Sequence, residues 1–419
     1  MKVTFSIGEM QLKLAQLALV VGKKSQEVLF RCIHIYTEGD KVYLQGADVD
    51  TTITLRLLKA TVQEAGSVLT ELETLIPLIT PRRSDFKFET LEGEQQAVIT
   101  NMVGKARAVV LTRPAADFVA LNVVTGIASK DAAALNGIHT FGLPGLKEQI
   151  EQVEFAIPTA GGKFVTPVVL VENSEANKEL KLVATDGHVM AITNRPAPDL
   201  GGDFQLIIAE PLLALVKRLE GGTDKDTGSK VRISETENAF FVETDTELVT
   251  YNKTHGEFPP YEKIIPKTGS QTTTIVLSDK DAFVEMLGTL NPQCSDKEMP
   301  RIEFHVSSDG TEVTCVATRE EKKADGNAYF DMGDHVLVSK SEGKLPNSIS
   351  LDGKLLLPFV QAATFPLTVH LTTSVGVVDM HVAGGSKEKP TYRYLIMPMR
   401  GITGETGYSS QPIPTPKKK

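Results

Sequence analysis

The chain begins MKVTFSIGEMQLKLAQLALVVG (residues 1–22), in which a short alternating strand runs directly into an amphipathic helix. Four apolar residues fall on one face of this helix: Met10, Leu14, Leu17 and Val21. Ser6 and Glu9 have the spacing of a capping box at its start, and Gly22 marks its expected end. The segment therefore predicts a strand followed by a helix whose apolar stripe packs on a sheet.

The same strand-to-helix plan occurs twice more. GIHTFG runs into LPGLKEQIEQVEFAI at Gly142, and TTTIVLS runs into DKDAFVEMLGTL at Ser278. The interval from Ser6 to Gly142 equals the interval from Gly142 to Ser278. Ser278 and Asp281 predict the cap of the third helix, and its apolar stripe comprises Phe283, Met286, Leu287 and Leu290. A fixed period of this length indicates a repeated structural unit.

Two further landmarks follow a similar period. The first is the set of stretches VYLQGADVDTTITL, LKLVATDGHVMAITN and TEVTCVATREEKK. If the copies align, Asp48, Asp186 and Arg319 occupy equivalent positions. The other is LTRPAADFVAL, THGEFPPYEKIIPK and RYLIMPMR, centred on Phe118, Phe258 and Met397. Three independent landmarks that recur at nearly the same interval predict three copies of one unit.

Each copy is predicted to contain a second helix, at 68–79, 210–221 and 354–365. Alternating β-branched and aromatic runs make up most of the rest, as in KVRISETENAFFVETDTELVTYN and LTVHLTTSVGVVDMHV. The predicted fold class is α+β, with three repeated domains that each pack two helices on an antiparallel sheet. We place the domains at 1–128, 129–268 and 269–400. The Gly-, Ser- and Pro-rich segment 401–419 is predicted to be a disordered tail.

Composition excludes several classes of protein. The 419 residues carry a net charge of −9, which argues against bulk attraction to nucleic acid without excluding a local basic face. Cys32, Cys294 and Cys315 are too few and too far apart for a disulfide framework, which favours a reducing compartment.

The sequence shows no signal peptide and no membrane-spanning run. No nucleotide, zinc-protease or serine-hydrolase motif is present, so no cofactor or metal is expected.

ATDGH at 184–188, FPPYEKIIPK at 258–267 and YLIMPMR at 394–400, within a threefold repeat, resemble the bacterial DNA polymerase III beta subunit, the replicative sliding clamp. The resemblance covers about residues 1–400. It implies the DNA clamp fold and a homodimer, in which two subunits join head to tail into a ring of six domains. In such a ring the helices line the hole and duplex DNA passes through it.

The resemblance also implies a function. The chain would be a processivity factor without catalytic activity that tethers the replicative polymerase to DNA. Short linear motifs of the polymerase, the clamp loader and repair proteins would bind a hydrophobic cleft between the second and third domains. The location would be the bacterial cytoplasm or nucleoid. No membrane partner is expected.

Basic residues on the segments expected to line the hole are candidates for contacts with DNA phosphates that do not depend on base sequence. The DNA-binding candidates are Lys23, Lys24, Lys147, Lys217, Arg218, Lys280 and Lys354. Lys13 and Lys297 lie on the same segments. The alternative for each is an ordinary solvated helix face.

Cleft positions carried over from the family form the second candidate site. They are Thr185, Gly187, His188, Val189, Met190, Pro259, Lys263, Ile264, Val377, Leu395, Ile396, Met397, Pro398, Met399 and Arg400. Methionine and proline beside aliphatic residues are typical of an adaptable pocket for peptides. The alternative for LIMPM is a last core strand.

The sequence departs from the family in two places. Val189 stands where the family usually has arginine, so this part of the cleft is more apolar. The chain also continues past Arg400, as far as Lys419. Tyr408 and Ile413 in this tail could cover the cleft or recruit a partner, and the alternative is an inert solubilising end.

Two other functions are weighed against the sliding clamp. Asp186 and His188 could act as an acid and a base, but no nucleophile or further group completes a site. A protein scaffold of the clamp fold that no longer encircles DNA is the second alternative.

Overall fold

The computed structural model describes residues 1–22, 27–80, 83–91, 95–104, 106–118, 138–158, 167–197, 200, 202–219, 230–253, 258–267, 273–294, 301–323, 326–343, 349–372, 376–382 and 391–399. These residues contain six α-helices: α1 (Ile7–Leu17), α2 (Leu72–Ile79), α3 (Leu143–Val153), α4 (Glu210–Arg218), α5 (Lys280–Leu290) and α6 (Gly353–Ala362). The predicted disordered tail, 401–419, lies outside the described residues.

The strands of the first two copies are β1 (Lys2–Phe5), β2 (Cys32–Glu38), β3 (Lys41–Ala47), β4 (Thr51–Leu57), β5 (Ala60–Glu64), β6 (Ser67–Glu71), β7 (Phe86–Thr90), β8 (Gln96–Asn101), β9 (Arg107–Leu111), β10 (Ile138–Gly142), β11 (Val168–Ser174), β12 (Glu179–Thr185), β13 (Val189–Pro196), β14 (Phe204–Ala209), β15 (Lys230–Glu235), β16 (Ala239–Glu243) and β17 (Glu247–Asn252). Those of the third copy are β18 (Thr273–Leu277), β19 (Arg301–Val306), β20 (Glu312–Lys323), β21 (Gly326–Gly343), β22 (Ile349–Asp352), β23 (Leu367–Leu371), β24 (Val378–Val382) and β25 (Tyr392–Ile396).

The chain divides into two compact units. Unit 1 comprises Met1–Lys147 and Pro211–His255, and unit 2 comprises Glu148–Glu210 and Gly256–Lys419. Unit 1 contains a five-stranded sheet, β5-β1-β7-β8-β9, and an eight-stranded sheet, β10-β15-β16-β17-β4-β3-β2-β6. Unit 2 contains a twelve-stranded sheet, β14-β11-β12-β13-β25-β24-β23-β18-β21-β20-β19-β22. The three domain boundaries from the sequence remain a prediction.

The described strand pairings are antiparallel, as predicted, and two of them join neighbouring copies of the repeat. In unit 1, β17 of the second copy pairs with β4 of the first, with Val249 opposite Ile53. In unit 2, β13 of the second copy pairs with β25 of the third, with Met190 opposite Leu395. The two larger sheets are therefore continuous across the sequence repeat.

Helix α1 packs its predicted stripe inward, since Met10, Leu14 and Leu17 are buried. Beneath the helix, Gly46 of β3 has no side chain, so Leu17 and Val21 can pack close to the strand. A Cβ atom on Gly46 would lie 2.7 Å from Cγ2 of Val21 and 2.9 Å from a Leu17 methyl carbon. The stripe of α5 is buried as predicted as well, and α5 packs against α6.

The predicted capping box at Ser6 is wrong. Ser6 occupies the N-cap, but its side chain makes no capping hydrogen bond. The backbone N–H of Ile7 donates instead to Oδ1 of Asp85 at 3.0 Å. The Glu9 carboxylate accepts from the backbone N–H groups of Leu58 and Lys59, at 2.7 and 2.8 Å. Long-range partners thus replace the local motif.

The other predicted helix limits shift by a few residues. Helix α5 is capped by Asp279, whose carboxylate accepts from Ala282 N at 2.9 Å, and not by Ser278 with Asp281. Helix α1 ends at Leu17, before Gly22. The second helix of the first copy begins later than predicted, because residues 68–71 belong to β6.

Candidate functional site

Ten of the fifteen predicted cleft residues line one small pocket of unit 2, with a volume of about 40 Å³. They are Thr185, Gly187, His188, Val189, Met190, Ile264, Val377, Leu395, Ile396 and Met397. They come from four separate segments of the chain. The structure therefore brings together most of the residues that the resemblance assigned to the cleft.

Strand pairing positions the centre of this pocket. Val189 lies opposite Ile396 and Met190 opposite Leu395 in the β13–β25 ladder. On the other side of β25, Val378 also lies opposite Ile396, which places Val377 beside the pocket. Because this register fixes which side chains share a face, the sheet sets the positions of the pocket residues.

The ATDGH segment forms a tight turn that leads into β13. The Asp186 Oδ1 accepts hydrogen bonds from the backbone N–H groups of His188 and Val189, both at 2.8 Å. The Thr185 hydroxyl donates to the Val189 carbonyl at 2.7 Å and accepts from Gly187 N at 3.1 Å. Gly187 has a φ of 90°, a conformation that favours glycine.

The turn gives structural roles to Asp186 and His188, the two residues that were considered as an acid and a base. The Asp186 carboxylate is engaged by backbone donors, and the His188 carbonyl accepts from Met397 N at 3.0 Å. Asp186 and His188 therefore hold the turn against the terminal segment. Among the described residues, no group of three or more His, Cys, Asp or Glu side chains could hold a metal ion.

The first copy has the same turn at the equivalent position. Asp48 Oδ1 accepts from the backbone N–H groups of Asp50 and Thr51, at 2.9 and 2.7 Å. The predicted equivalence of Asp48 and Asp186 is confirmed. For Arg319 the equivalence stays a prediction, because Arg319 lies inside the long β20–β21 hairpin, opposite Phe330.

A buried apolar cluster supports the pocket from within unit 2. It comprises Leu170, Val183, Met190, Ile192, Tyr261 and Leu395, with Phe258 and Val377 packed against it. The Tyr261 hydroxyl donates to the Glu172 carboxylate at 2.7 Å, and burial followed by this hydrogen bond raises the tyrosine pKa. Tyr261 is not among the predicted cleft residues, although an aromatic residue directly after Pro259 and Pro260 was a usable signal.

The pocket combines a buried floor with an exposed rim. Val189, Met190, Leu395 and Ile396 are at most 3% exposed, so they belong to the core as well as to the pocket. Met397 is 44% exposed and Ile264 is 41% exposed. The alternative of a last core strand thus holds for Leu395 and Ile396, whereas Met397 offers an apolar side chain at the surface.

Four of the other predicted cleft residues are described and do not line the pocket. Pro259 and Lys263 belong to the short turn around Tyr261–Lys263. Pro398 and Met399 follow Met397, and Met399 N donates to the Ser350 carbonyl at 2.9 Å. Arg400 lies outside the described residues.

Two predicted DNA-binding lysines act as helix caps. The Lys147 ammonium donates to the Leu219 carbonyl at 2.6 Å, just past the end of α4. The Lys280 ammonium donates to the Gln361 and Ala363 carbonyls at the end of α6, at 2.7 and 2.9 Å. Cations near a helix C-terminus are stabilising.

The first copy makes the same contact with a neutral side chain. The Gln11 amide donates to the Thr80 carbonyl at the end of α2, at 2.9 Å. Gln11, Lys147 and Lys280 recur at nearly the interval of the sequence repeat. Each copy therefore uses one residue of its first helix to close its second helix.

The remaining basic candidates fall into three groups. Lys217 and Arg218 lie in the last turn of α4, and the Lys354 side chain is exposed near the start of α6. Lys23, Lys24 and Lys297 lie outside the described residues. The expectation for Lys13 is wrong, because it is 2% exposed and its ammonium lies 2.6 Å from the buried Glu247 carboxylate.

Similarity to known proteins extends over most of the chain. The beta sliding clamp of Caulobacter vibrioides is 24% identical over 303 residues, which cover 70% of this chain and 76% of that protein. The beta sliding clamp of Salmonella typhimurium is 21% identical over 364 residues, covering 85% and 88%. No protein-family model matches the chain. Within the described residues, no helix is long and apolar enough to cross a membrane.

Solved structures agree with the fold almost from end to end. The DNA polymerase III beta subunit of Pseudomonas aeruginosa, determined with bound griselimycin, has a TM-score of 0.78 at 19% identity and covers 96% of this chain and 99% of its own. The resemblance drawn from the sequence motifs is thus confirmed, and the chain has the DNA clamp fold of the DNA polymerase III beta subunits.

Proposed function

We propose that this chain is a DNA sliding clamp, which encircles duplex DNA and tethers the replicative polymerase for processive synthesis. It is a processivity factor and not an enzyme. The observation that carries the proposal is the pocket, in which ten residues assigned from the sequence meet on a chain of the clamp fold.

The proposed ring contains two copies of the chain joined head to tail. A heterologous contact closes into a ring when the rotations close, and three repeats per chain suit a pseudo-sixfold assembly around a helical ligand. We place the three domains at the predicted boundaries, 1–128, 129–268 and 269–400. The net charge of −9 fits a ring that attracts DNA locally and not over its whole surface.

DNA contact is assigned to the basic residues of the helical segments. Lys217, Arg218 and Lys354 are the candidates on α4 and α6, and Lys23 and Lys24 complete the set. Lys147 and Lys280 add positive charge beside the helix ends that they cap. Weak phosphate contacts suit sliding, since a closed ring is retained topologically.

The pocket is proposed to bind short linear motifs of the polymerase, the clamp loader and repair proteins. Its floor is aliphatic and its rim carries Met397 and Ile264, which suits an apolar anchor residue in an extended peptide. Val189 contributes an aliphatic wall, so anchors without a negative charge should be preferred. We place this activity in the bacterial cytoplasm or nucleoid.

The test is topological. The purified protein is loaded onto nicked circular DNA with its cognate loader, and the DNA is then cut once. A clamp stays on the circle and leaves the linear form. Equal retention on both forms, or none on the circle, would contradict encirclement and favour a protein scaffold of the same fold.

A further inference from the structure

We propose that the segment 408–414 of this chain, YSSQPIP, occupies the pocket lined by Met397 and Ile264 and competes there with partner peptides. The inference rests on the proposed function of that pocket, and it adds an occupant supplied by the chain itself. Ile413 is the anchor residue, flanked by Pro412 and Pro414.

Met397 lies at the pocket itself, three residues before Arg400. Met397 lines the pocket, and its backbone N–H donates to the His188 carbonyl at 3.0 Å. Two residues later Met399 N donates to the Ser350 carbonyl at 2.9 Å. These two hydrogen bonds fix the starting point of the remaining residues beside the pocket.

The pocket presents an apolar surface that a short segment could cover. Met397 and Ile264 are 44% and 41% exposed, while the floor beneath them is buried and aliphatic. A pocket this small suits one side chain more than a folded partner surface. A branched residue such as Ile413 has the required chemistry.

The composition of the segment past Arg400 matches this geometry. Residues 401–407 contain three glycines, a composition typical of a spacer. Residues 408–416 contain Tyr408, Ile413 and three prolines. Prolines favour an extended conformation and reduce the entropy lost when a peptide binds.

Reach and local concentration are both sufficient. Ile413 follows Arg400 by thirteen positions, and a Gly-rich chain of that length has a root-mean-square span of about 20 Å. A tether of this length gives an effective concentration in the mM range. A segment with an intrinsic Kd of about 1 mM would therefore fill the pocket about half of the time.

The experiment reads the pocket directly through methionine methyl resonances of the full-length protein. Ile413→Ser should shift the Met397 methyl signal toward its position in a chain that lacks residues 402–419. The exposed Met102, in unit 1, should not respond. Thr415→Ser is the matched control in the same segment and should leave Met397 unchanged.

A second measurement tests competition. A fluorescent synthetic peptide of residues 403–416 should bind the truncated chain about twofold more tightly than the full-length chain, and Ile413→Ser in the protein should remove that difference. An unchanged Met397 signal in Ile413→Ser, or equal affinity of the peptide for both chains, would overturn the proposal. Retention of the truncated chain on circular DNA is measured in parallel, so that a failed clamp function is recognised separately.

Discussion

The Lys13 ammonium lies 2.6 Å from the Glu247 carboxylate, and both side chains are buried in unit 1. The amide of Gln16 donates to the same carboxylate at 2.7 Å and to the Arg218 carbonyl at 2.6 Å. Helix α1 of the first copy is thereby linked to β17 and α4 of the second. A buried charge that loses its partner is costly, so this pair is a sensitive point of the fold.

Lys13→Met should lower the free energy of unfolding by about 3–5 kcal/mol, because it leaves the Glu247 carboxylate buried without its cation. Urea denaturation followed by circular dichroism measures this loss. The double variant Lys13→Met/Glu247→Gln should recover most of it. The more exposed pair Arg195–Glu148, at 2.8 Å, is the control, and Arg195→Met should cost at most about 1 kcal/mol. Equal losses for both single variants would contradict this account.

Lys280→Met should destabilise the protein by about 1 kcal/mol, because two partly solvated carbonyls at the end of α6 lose a charged donor. Lys280→Gln should retain part of that stability, as Gln11 makes the equivalent contact in the first copy. Urea unfolding of the two variants gives the comparison. A Lys280→Met protein of unchanged stability but much weaker DNA binding would show that the DNA role dominates.

Replacing both Lys217 and Arg218 by alanine should weaken DNA binding and leave the fold intact, since both lie in the last turn of α4. The logarithm of the DNA association constant falls with the logarithm of salt concentration, and its slope should become less steep by about 1 for each phosphate that the protein no longer neutralises. Fluorescence anisotropy over a salt series measures the slope. Glu148→Gln removes a charge elsewhere and should not reduce the slope.

Met397→Asp should weaken binding of the cognate polymerase at least tenfold, because it places a carboxylate on the apolar rim of the pocket. Surface plasmon resonance with the immobilised clamp provides the measurement. Met102→Asp is the matched control, since Met102 is also exposed but belongs to unit 1. Equal affinities of the two variants would exclude the pocket as the polymerase site.

The protein should lose stability as the pH falls from about 6.5 to about 4. Burial lowers the pKa of His381 to about 4, against the weaker opposing effect of Asp379, and His370 and Arg393 lower it further. The folded state therefore favours the neutral imidazole, and the unfolded chain takes up the proton first. The loss amounts to about 3 kcal/mol and is complete below about pH 4. His381→Gln should flatten this part of the curve of unfolding free energy against pH, and an unchanged curve would contradict the assignment.

Periodicity in the sequence predicted the repeated elements well, because apolar stripes and alternating strands depend on local spacing. The burial of Met10, Leu14, Phe283 and Leu290 follows directly from it. The predicted capping box at Ser6 was wrong because Asp85, far away in the sequence, accepts the hydrogen bond from the backbone N–H of Ile7. The prediction that Lys13 faces DNA was wrong for the same reason, since its partner Glu247 lies in the second copy.

The pocket could be predicted only through the resemblance to a known family. Nothing in local spacing indicates that Ile264, Val377 and Met397 meet, because strand pairing across two copies of the repeat brings them together. The role of Tyr261 behind the pocket depends on Glu172 as its acceptor, and that contact is not visible in the sequence either. Long-range sheet register is the information that local patterns lack.

The strand pairs β17–β4 and β13–β25 join different copies of the repeat. The repeated sequence unit and the compact structural unit are therefore not the same part of the chain. The repeat is the unit of sequence, but backbone hydrogen bonds hold the second copy partly to the first and partly to the third. The two compact units of the molecule therefore differ from its repeats, and the middle copy is divided between them. A single repeat, excised at the predicted boundaries, would expose strand edges that its neighbours normally cover.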